Sequence, residues 1–131
     1  MIAKLGNNGV ILLIESDAYT NNANRCIFET QQYTVHTATS FTQARSLLKE
    51  TKPDIIIMET IMPDGDGFDF CVEIHGMTQA NIIFLTFKSE DIDMKKGLKS
   101  GGDIYITKPA DRDEMVAWVD AIMRRRSCWD T

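Results

Sequence analysis

Six polar side chains come directly after short apolar runs of the sequence. They are three acids, two hydroxyls and one lysine: Glu15, Ser16, Asp17, Glu59, Thr86 and Lys108. Carboxylate oxygens are the ligands that Mg²⁺ prefers, and an ammonium group offsets the charge of partly buried carboxylates. If these side chains meet in the fold, they form a polar site suited to ion pairing or to chemistry on a charged group.

The apolar runs alternate with longer segments of helical period, which predicts parallel strands joined by crossover helices. We predict strands over residues 10–14, 33–38, 54–58, 81–86 and 104–107. The first and third contain unbroken apolar runs, as expected of central strands that are covered on both faces. The second alternates between polar and apolar residues, which is typical of an edge strand.

The predicted helices cover residues 18–29, 41–49 and 68–77, a segment capped by Ser89, and residues 112–126. In the first helix we expect Cys26, Ile27 and Ala23 to face inward. The fourth helix contains Gly97 in its interior, at a cost of about 1 kcal/mol relative to alanine. We therefore predict that the fourth helix is the softest.

Five strand-helix units predict an α/β fold with a doubly wound five-stranded parallel sheet in the order 2-1-3-4-5. In such sheets the functional crevice lies at the carboxyl ends of the strands, beside the point where the strand order reverses. That rule brings the six polar residues to one rim. We predict a single domain over residues 10–126, with a tail over 1–9 and a tail or the start of a linker over 127–131.

The composition excludes several classes of function. The chain has 131 residues, 14 Lys and Arg, 19 Asp and Glu, and a net charge of −5, whereas nucleic-acid binding requires clustered positive charge. The apolar runs are far shorter than the roughly 20 residues of a membrane-spanning helix. Three cysteines and two histidines have no disulfide or metal spacing. We therefore expect a cytoplasmic protein without nucleic-acid or membrane binding.

The order of these motifs resembles the receiver domain of two-component response regulators, which has a flavodoxin-like (βα)5 sandwich. The resemblance rests on residues 53–59, 62–68, 85–86 and 101–109. In that family a histidine kinase phosphorylates an aspartate at the end of the third strand, with Mg²⁺ held by an acidic pair after the first. The resemblance implies that Thr86 and Lys108 bind the phosphoryl oxygens, that Tyr105 is the aromatic residue that swings inward, and that Lys108-Pro109 is a cis peptide.

The sequence departs from the family pattern at three positions of the site. Glu59 stands where the acceptor aspartate is expected, and its extra methylene moves the carboxylate into the space of the phosphoryl group. The acidic pair is Glu15-Ser16, so one anionic ligand of Mg²⁺ is missing. Phe87 replaces the small residue past which a phosphodonor enters. We therefore predict a degenerate receiver, or pseudo-receiver, with no catalytic residue, no cofactor and at most weak Mg²⁺ binding at Glu15 and Glu59.

Two other functions stay open on the sequence alone. The chain could be a working receiver that takes phosphate from a histidine kinase at a non-standard acid, either Glu59 or one of Asp64 and Asp66 in the following loop. A flavodoxin-like nucleotide binder would share the fold. However, residues 15–19 contain no glycine and carry acids that repel phosphate, which disfavours this interpretation.

The resemblance also predicts where partners bind. In the receiver family, signals leave through the fourth helix, the fifth strand and the fifth helix, where this sequence carries Tyr105 and Trp118. Trp118 is either an interface anchor or a cover for the edge of the core. We expect a protein partner, a linked effector domain, a histidine kinase or a second copy of this chain. Lys108 could be an ion-pair partner of Glu59 and Glu15. Glu59 could also be a partial mimic of a phosphorylated aspartate and hold Tyr105 inward.

Overall fold

In the computed structural model, which describes residues 8–130, five parallel strands form one sheet in the order β2-β1-β3-β6-β7. These strands are β1 (Val10–Ile14), β2 (Thr34–Ala38), β3 (Ile55–Met58), β6 (Asn81–Thr86) and β7 (Ile104–Thr107). A separate two-residue hairpin, β4 (Ile61–Met62) and β5 (Gly65–Asp66), follows β3. The hairpin does not join the sheet, so the predicted 2-1-3-4-5 order is confirmed.

Five helices cover the two faces of the sheet: α1 (Ala18–Thr30), α2 (Phe41–Thr51), α3 (Gly67–Ile74), α4 (Asp91–Lys99) and α5 (Arg112–Asp130). One apolar cluster packs α2 and α3 against the sheet, and Tyr105 borders it. A second cluster packs α1 and α5 against the opposite face. Strands β1 and β3 are buried almost throughout because both faces are covered, as their apolar runs predict.

Short polar side chains begin most of the helices by accepting hydrogen bonds from free backbone N–H groups. Ser40 caps α2 through the N–H of Gln43, and Asp66 caps α3. The predicted cap of α4 is wrong: Glu90, not Ser89, precedes the helix, and its side chain makes no capping bond. In place of a cap, α4 has acids in its first turn and lysines in its last, which complements the helix dipole.

The buried face of α1 differs from the prediction. Cys26 and Ala23 are exposed, Ile27 is half-buried, and the fully buried positions are Asn21 and Phe28. Asn21 faces inward because its Nδ2 donates hydrogen bonds of 3.0 Å to two backbone carbonyls, which satisfies a polar group that is otherwise costly to bury.

Helix α5 continues to Asp130, beyond the predicted end at residue 126. Its inward stripe is as predicted, with Met115 and Val119 buried and Val116, Ile122 and Met123 packed beside them. Within residues 8–130, none of the helices has both the length and the apolar character needed to cross a membrane.

Candidate functional site

The carboxyl ends of β1, β3 and β7 bring one lysine between two glutamates. Lys108 Nζ donates to a carboxylate oxygen of Glu15 and lies 3.1 Å from Glu59 Oε1. The three side chains are only 10–12% exposed. The ammonium group therefore attracts both carboxylates and offsets part of the repulsion between them in a poorly solvated site.

The ionisation of this triad depends on a balance between burial and pairing. Burial opposes the ionisation of Glu59, but the nearby Thr86 side chain, the hydrogen bond from the Thr60 N–H and the charge of Lys108 outweigh it and lower the pKa of the carboxyl group. Burial likewise disfavours the ammonium group, yet the hydrogen bond to Glu15 and the charges of both glutamates raise the pKa of Lys108. The Glu59 carboxylate and the Lys108 ammonium group are thus both charged at neutral pH.

The second carboxylate oxygen of Glu59 contacts Thr60, one of two buried threonines on the side away from the lysine. Glu59 Oε2 accepts hydrogen bonds from the Thr60 N–H at 2.6 Å and the Thr60 hydroxyl at 3.2 Å. The Thr60 and Thr86 hydroxyl oxygens are 2.9 Å apart. Thr86 was a candidate from the sequence, whereas Thr60 was missed. The only sequence signal for Thr60 was a hydroxyl placed directly after the acid.

Tyr105 lies inward, between the sheet and α4. Its hydroxyl donates to the Lys88 carbonyl at 2.8 Å, and its ring packs against Phe68 and Phe84. Burial, together with the charges of Asp93 and Glu59, raises the pKa of Tyr105 to about 12. Tyr105 is thus half-buried, with its ring on the inner side of α4.

Gly97 makes room for this tyrosine. A Cβ atom built on Gly97 would lie 2.9 Å from Tyr105 Cδ2 and 3.0 Å from Tyr105 Cε2. Gly97 is also buried, although it lies in a helix that is mostly exposed. The sequence predicts a soft helix at this position. In the structure the glycine also leaves the space that the Tyr105 ring occupies.

The entrance to the site is partly covered by an aromatic side chain. The Phe87 ring is 70% exposed, and its centre lies 5.3 Å from Lys108 Nζ, within the range of a cation–π contact. The residues between β1 and α1 add no further carboxylate to the triad. Ser16 is exposed, and Asp17 is the N-cap of α1, where hydrogen bonds from the Thr20 hydroxyl and N–H lower its pKa.

Comparison with known proteins identifies the family. The family model of the response regulator receiver domain matches residues 11–120. This chain belongs to the response regulator receiver family. Its fold and the positions of Glu59, Thr86 and Lys108 at one rim are those expected of a receiver domain.

Individual relatives agree with this assignment. The chain is 37% identical over 115 residues to the transcriptional regulatory protein AfsQ1 of Streptomyces coelicolor, a match that covers 88% of this chain and 51% of the relative. It therefore spans about half the length of that curated relative. A two-component response regulator from Clostridium difficile superposes with a TM-score of 0.87 at 32% identity, covering 89% of this chain and 97% of the other.

A more distant structure shares the fold alone. The BeF3-activated N-terminal receiver domain of Klebsiella pneumoniae RstA superposes with a TM-score of 0.84 at 22% identity, covering 88% of this chain and 98% of that one.

The chain described here has a cis peptide bond between Lys108 and Pro109, as the family resemblance implied.

The two loop acids considered as alternative phosphoacceptors both hold helices in this receiver domain. Asp64 accepts hydrogen bonds from the N–H groups of Phe41 and Thr42, at 3.0 and 2.9 Å. These bonds lower the pKa of the Asp64 carboxyl group. Asp66 Oδ1 accepts from the Phe68 N–H at 2.7 Å and caps α3. Each carboxylate thus has a structural partner that phosphorylation would displace.

Trp118 is the remaining residue singled out from the sequence. It is 43% exposed on α5 and lines a groove of about 610 Å³ with Ile104, Ile122 and Arg125. It lies away from the Glu15–Lys108–Glu59 triad and outside both apolar clusters. Its exposure leaves a large aromatic surface accessible on α5, beside the start of β7.

Proposed function

We propose that this receiver domain signals through protein–protein contacts without aspartyl phosphorylation, with Glu59 as a permanent partial substitute for the phosphoryl group. The observation that carries the proposal is the set of bonds around Glu59: one carboxylate oxygen contacts Lys108 and the other contacts Thr60. A carboxylate has fewer acceptor oxygens and less charge than a phosphoryl group. It nevertheless reaches the lysine and, through Thr60, the threonine that bind the phosphoryl oxygens in the family.

The groups around the triad do not fit Mg²⁺. Both carboxylates that could act as ligands already accept hydrogen bonds from Lys108, and the neighbouring position offers only the exposed Ser16 hydroxyl. Mg²⁺ requires near-ideal octahedral oxygen geometry, which a lysine ammonium at the centre of the acids prevents. Phosphoryl transfer depends on this positioning, and a misplacement of about 1 Å can cost around a hundredfold in rate.

A working receiver that uses a non-standard acid is the second candidate function. It would take phosphate at Asp64 or Asp66, whose carboxylates are near the surface. Both acids are held by backbone N–H groups at helix starts, and neither is hydrogen-bonded to Lys108. The lysine that stabilises the phosphoryl group in the family is thus committed elsewhere, which favours the first proposal.

The proposed partners follow from the receiver assignment. Response regulators act with histidine kinases and with effector domains, and AfsQ1 is a transcriptional regulatory protein of which this chain matches about half. We include a linked or separate effector domain as the first partner, and a homodimer through α4, β7 and α5 as a further one. The proposed location is the cytoplasm, where two-component partners meet.

The test is the intact mass of the protein after incubation with acetyl phosphate and Mg²⁺. The wild-type chain is expected to gain no phosphoryl group, and Glu59→Asp alone is expected to stay unlabelled because Ser16 and Phe87 still hinder the reaction. The triple variant Ser16→Asp, Glu59→Asp, Phe87→Ala is the positive control and is expected to be labelled. Stoichiometric, hydroxylamine-sensitive labelling of the wild type would overturn the proposal.

A further inference from the structure

A continuous path of hydrogen bonds leads from Glu59 to the ring of Tyr105. After the contacts between Glu59, Thr60 and Thr86, the Thr86 hydroxyl oxygen accepts from the Lys88 N–H at 3.2 Å. The carbonyl of the same Lys88 accepts from the Tyr105 hydroxyl at 2.8 Å. The four side-chain contacts of the path are 2.8 to 3.2 Å long, and Thr60 occupies its first position after the acid.

The donors on this path have one consistent direction. An ionised carboxylate can only accept, and each hydroxyl has one proton to donate. If Thr60 donates to Glu59, then Thr60 must accept from Thr86, and Thr86 must accept from the Lys88 N–H. Every proton then points toward the carboxylate, an arrangement in which neighbouring hydrogen bonds strengthen one another.

The two threonines of the path are buried, so their hydroxyl groups depend on each other and on Glu59 for hydrogen bonds. Thr60 is 0% exposed and Thr86 is 1% exposed, so water cannot readily replace a missing partner. An unpaired buried hydroxyl is costly, so the position of Glu59 determines where both threonines settle. The backbone of Lys88 is then held through its N–H, and the carbonyl of the same residue accepts the hydrogen bond that holds Tyr105 inward.

We propose that Thr60 is the positioning residue that couples Glu59 to the inward Tyr105. The proposal rests on the proposed function, in which Glu59 replaces the phosphoryl group. It adds that the hydroxyl of Thr60, which contacts both the Glu59 carboxylate and the Thr86 hydroxyl, fixes the position of Thr86 relative to the glutamate. Thr60 does not contact a phosphodonor and acts only through its neighbours.

The experiment compares Thr60→Val with Thr60→Ser. Valine keeps the shape of threonine and removes the hydroxyl, whereas serine keeps the hydroxyl and removes a methyl group. Proteins labelled with 3-fluorotyrosine are examined by ¹⁹F NMR, with the Tyr105 signal assigned from Tyr105→Phe. Thr60→Val is expected to shift that signal to a solvent-exposed position and to lower the pKa of the labelled phenol at residue 105, which burial raises in the inward position. Thr60→Ser is expected to retain the wild-type signal.

An unchanged Tyr105 signal in Thr60→Val, or an equal change in both variants, would overturn the role of the hydroxyl. If Thr60→Val does not fold, Thr60→Ala is compared with Thr60→Ser by the same readout and decides the question in the same way. The intact-mass test is independent of this one. An unlabelled wild type with an unmoved Tyr105 removes the role of Thr60 only, whereas a labelled wild type removes the proposed function.

Discussion

Substitution of Gly97 by alanine tests whether the inward position of Tyr105 requires a residue without a side chain at position 97. The new methyl group would lie 2.9 and 3.0 Å from two Tyr105 ring carbons and 3.2 Å from Phe68 Cε1. Such contacts are too short, so Tyr105 must either push against α4 or swing outward. An outward ring gives up its hydrogen bond to the Lys88 carbonyl and its packing against Phe84.

The expected magnitude follows from two opposed effects. Alanine stabilises a helix by about 1 kcal/mol relative to glycine, whereas overpacking typically costs about 1–3 kcal/mol. We expect Gly97→Ala to reduce the free energy of unfolding by about 1 kcal/mol in the wild type, where the clash outweighs the propensity gain. In a Tyr105→Ala background the clash with the ring is absent, and the same substitution is expected to stabilise by up to about 1 kcal/mol.

The assay is urea unfolding of the four proteins in this double-mutant cycle, which gives a coupling free energy of about 2 kcal/mol if the reasoning is correct. The unfolding slope with urea should be the same in all four, since the unfolded surface hardly changes. An equal stabilisation in both backgrounds would refute the claim that Gly97 leaves space for the Tyr105 ring. Gly97→Ala would then report helix propensity alone.

Three further predictions concern the triad and the surface. Lys108→Met is expected to reduce the free energy of unfolding at neutral pH by about 3 kcal/mol, because Glu15 and Glu59 lose their shared cation. The loss should shrink as the pH falls toward 4, because protonation of Glu59 removes the negative charge that Lys108 balances. In the wild type, the lowered pKa of Glu59 and the raised pKa of Lys108 make the stability from this triad constant between about pH 5 and 10, with losses below and above that window. Trp118→Ala is expected to weaken self-association or partner binding by about tenfold with little change in melting temperature.

A different result would contradict each of these predictions. Equal losses for Lys108→Met at pH 4 and pH 7 would show that the two carboxylates are not held by its charge. A stability maximum of the wild type below pH 4 would reverse the direction assigned to Glu59. Thermal melts and sedimentation distinguish the roles of Trp118, since a variant that unfolds easily but associates normally would place this side chain in the core.

The fold was largely predictable because its strands are short, apolar and separated by clear turn and capping signals. The observed bounds of β6 and β7 equal the predicted residues 81–86 and 104–107. Helix faces were harder to predict, since the inward position of Asn21 depends on the backbone carbonyls of Glu15 and Ala38. A polar residue with distant partners gives no periodic signal along the sequence.

The candidate site was predictable for those residues that the sheet topology alone brings together. Glu15, Glu59 and Lys108 meet because parallel strands end at one edge of the sheet. Thr60 and the space at Gly97 depend on how the chain leaves β3 and on the side-chain rotamer of Tyr105. Those features are set by tertiary packing, so neither residue type nor spacing reveals them.

The central claim is that the switch arrangement does not depend on phosphorylation. It is tested most directly by the ¹⁹F signal of Tyr105 in the wild type, recorded before and after addition of beryllofluoride with Mg²⁺, a mimic of the phosphoryl group. The triple variant Ser16→Asp, Glu59→Asp, Phe87→Ala serves as the responsive control. The account predicts one inward signal that is the same in both wild-type spectra. A shift of the wild-type signal on addition of the mimic would contradict it.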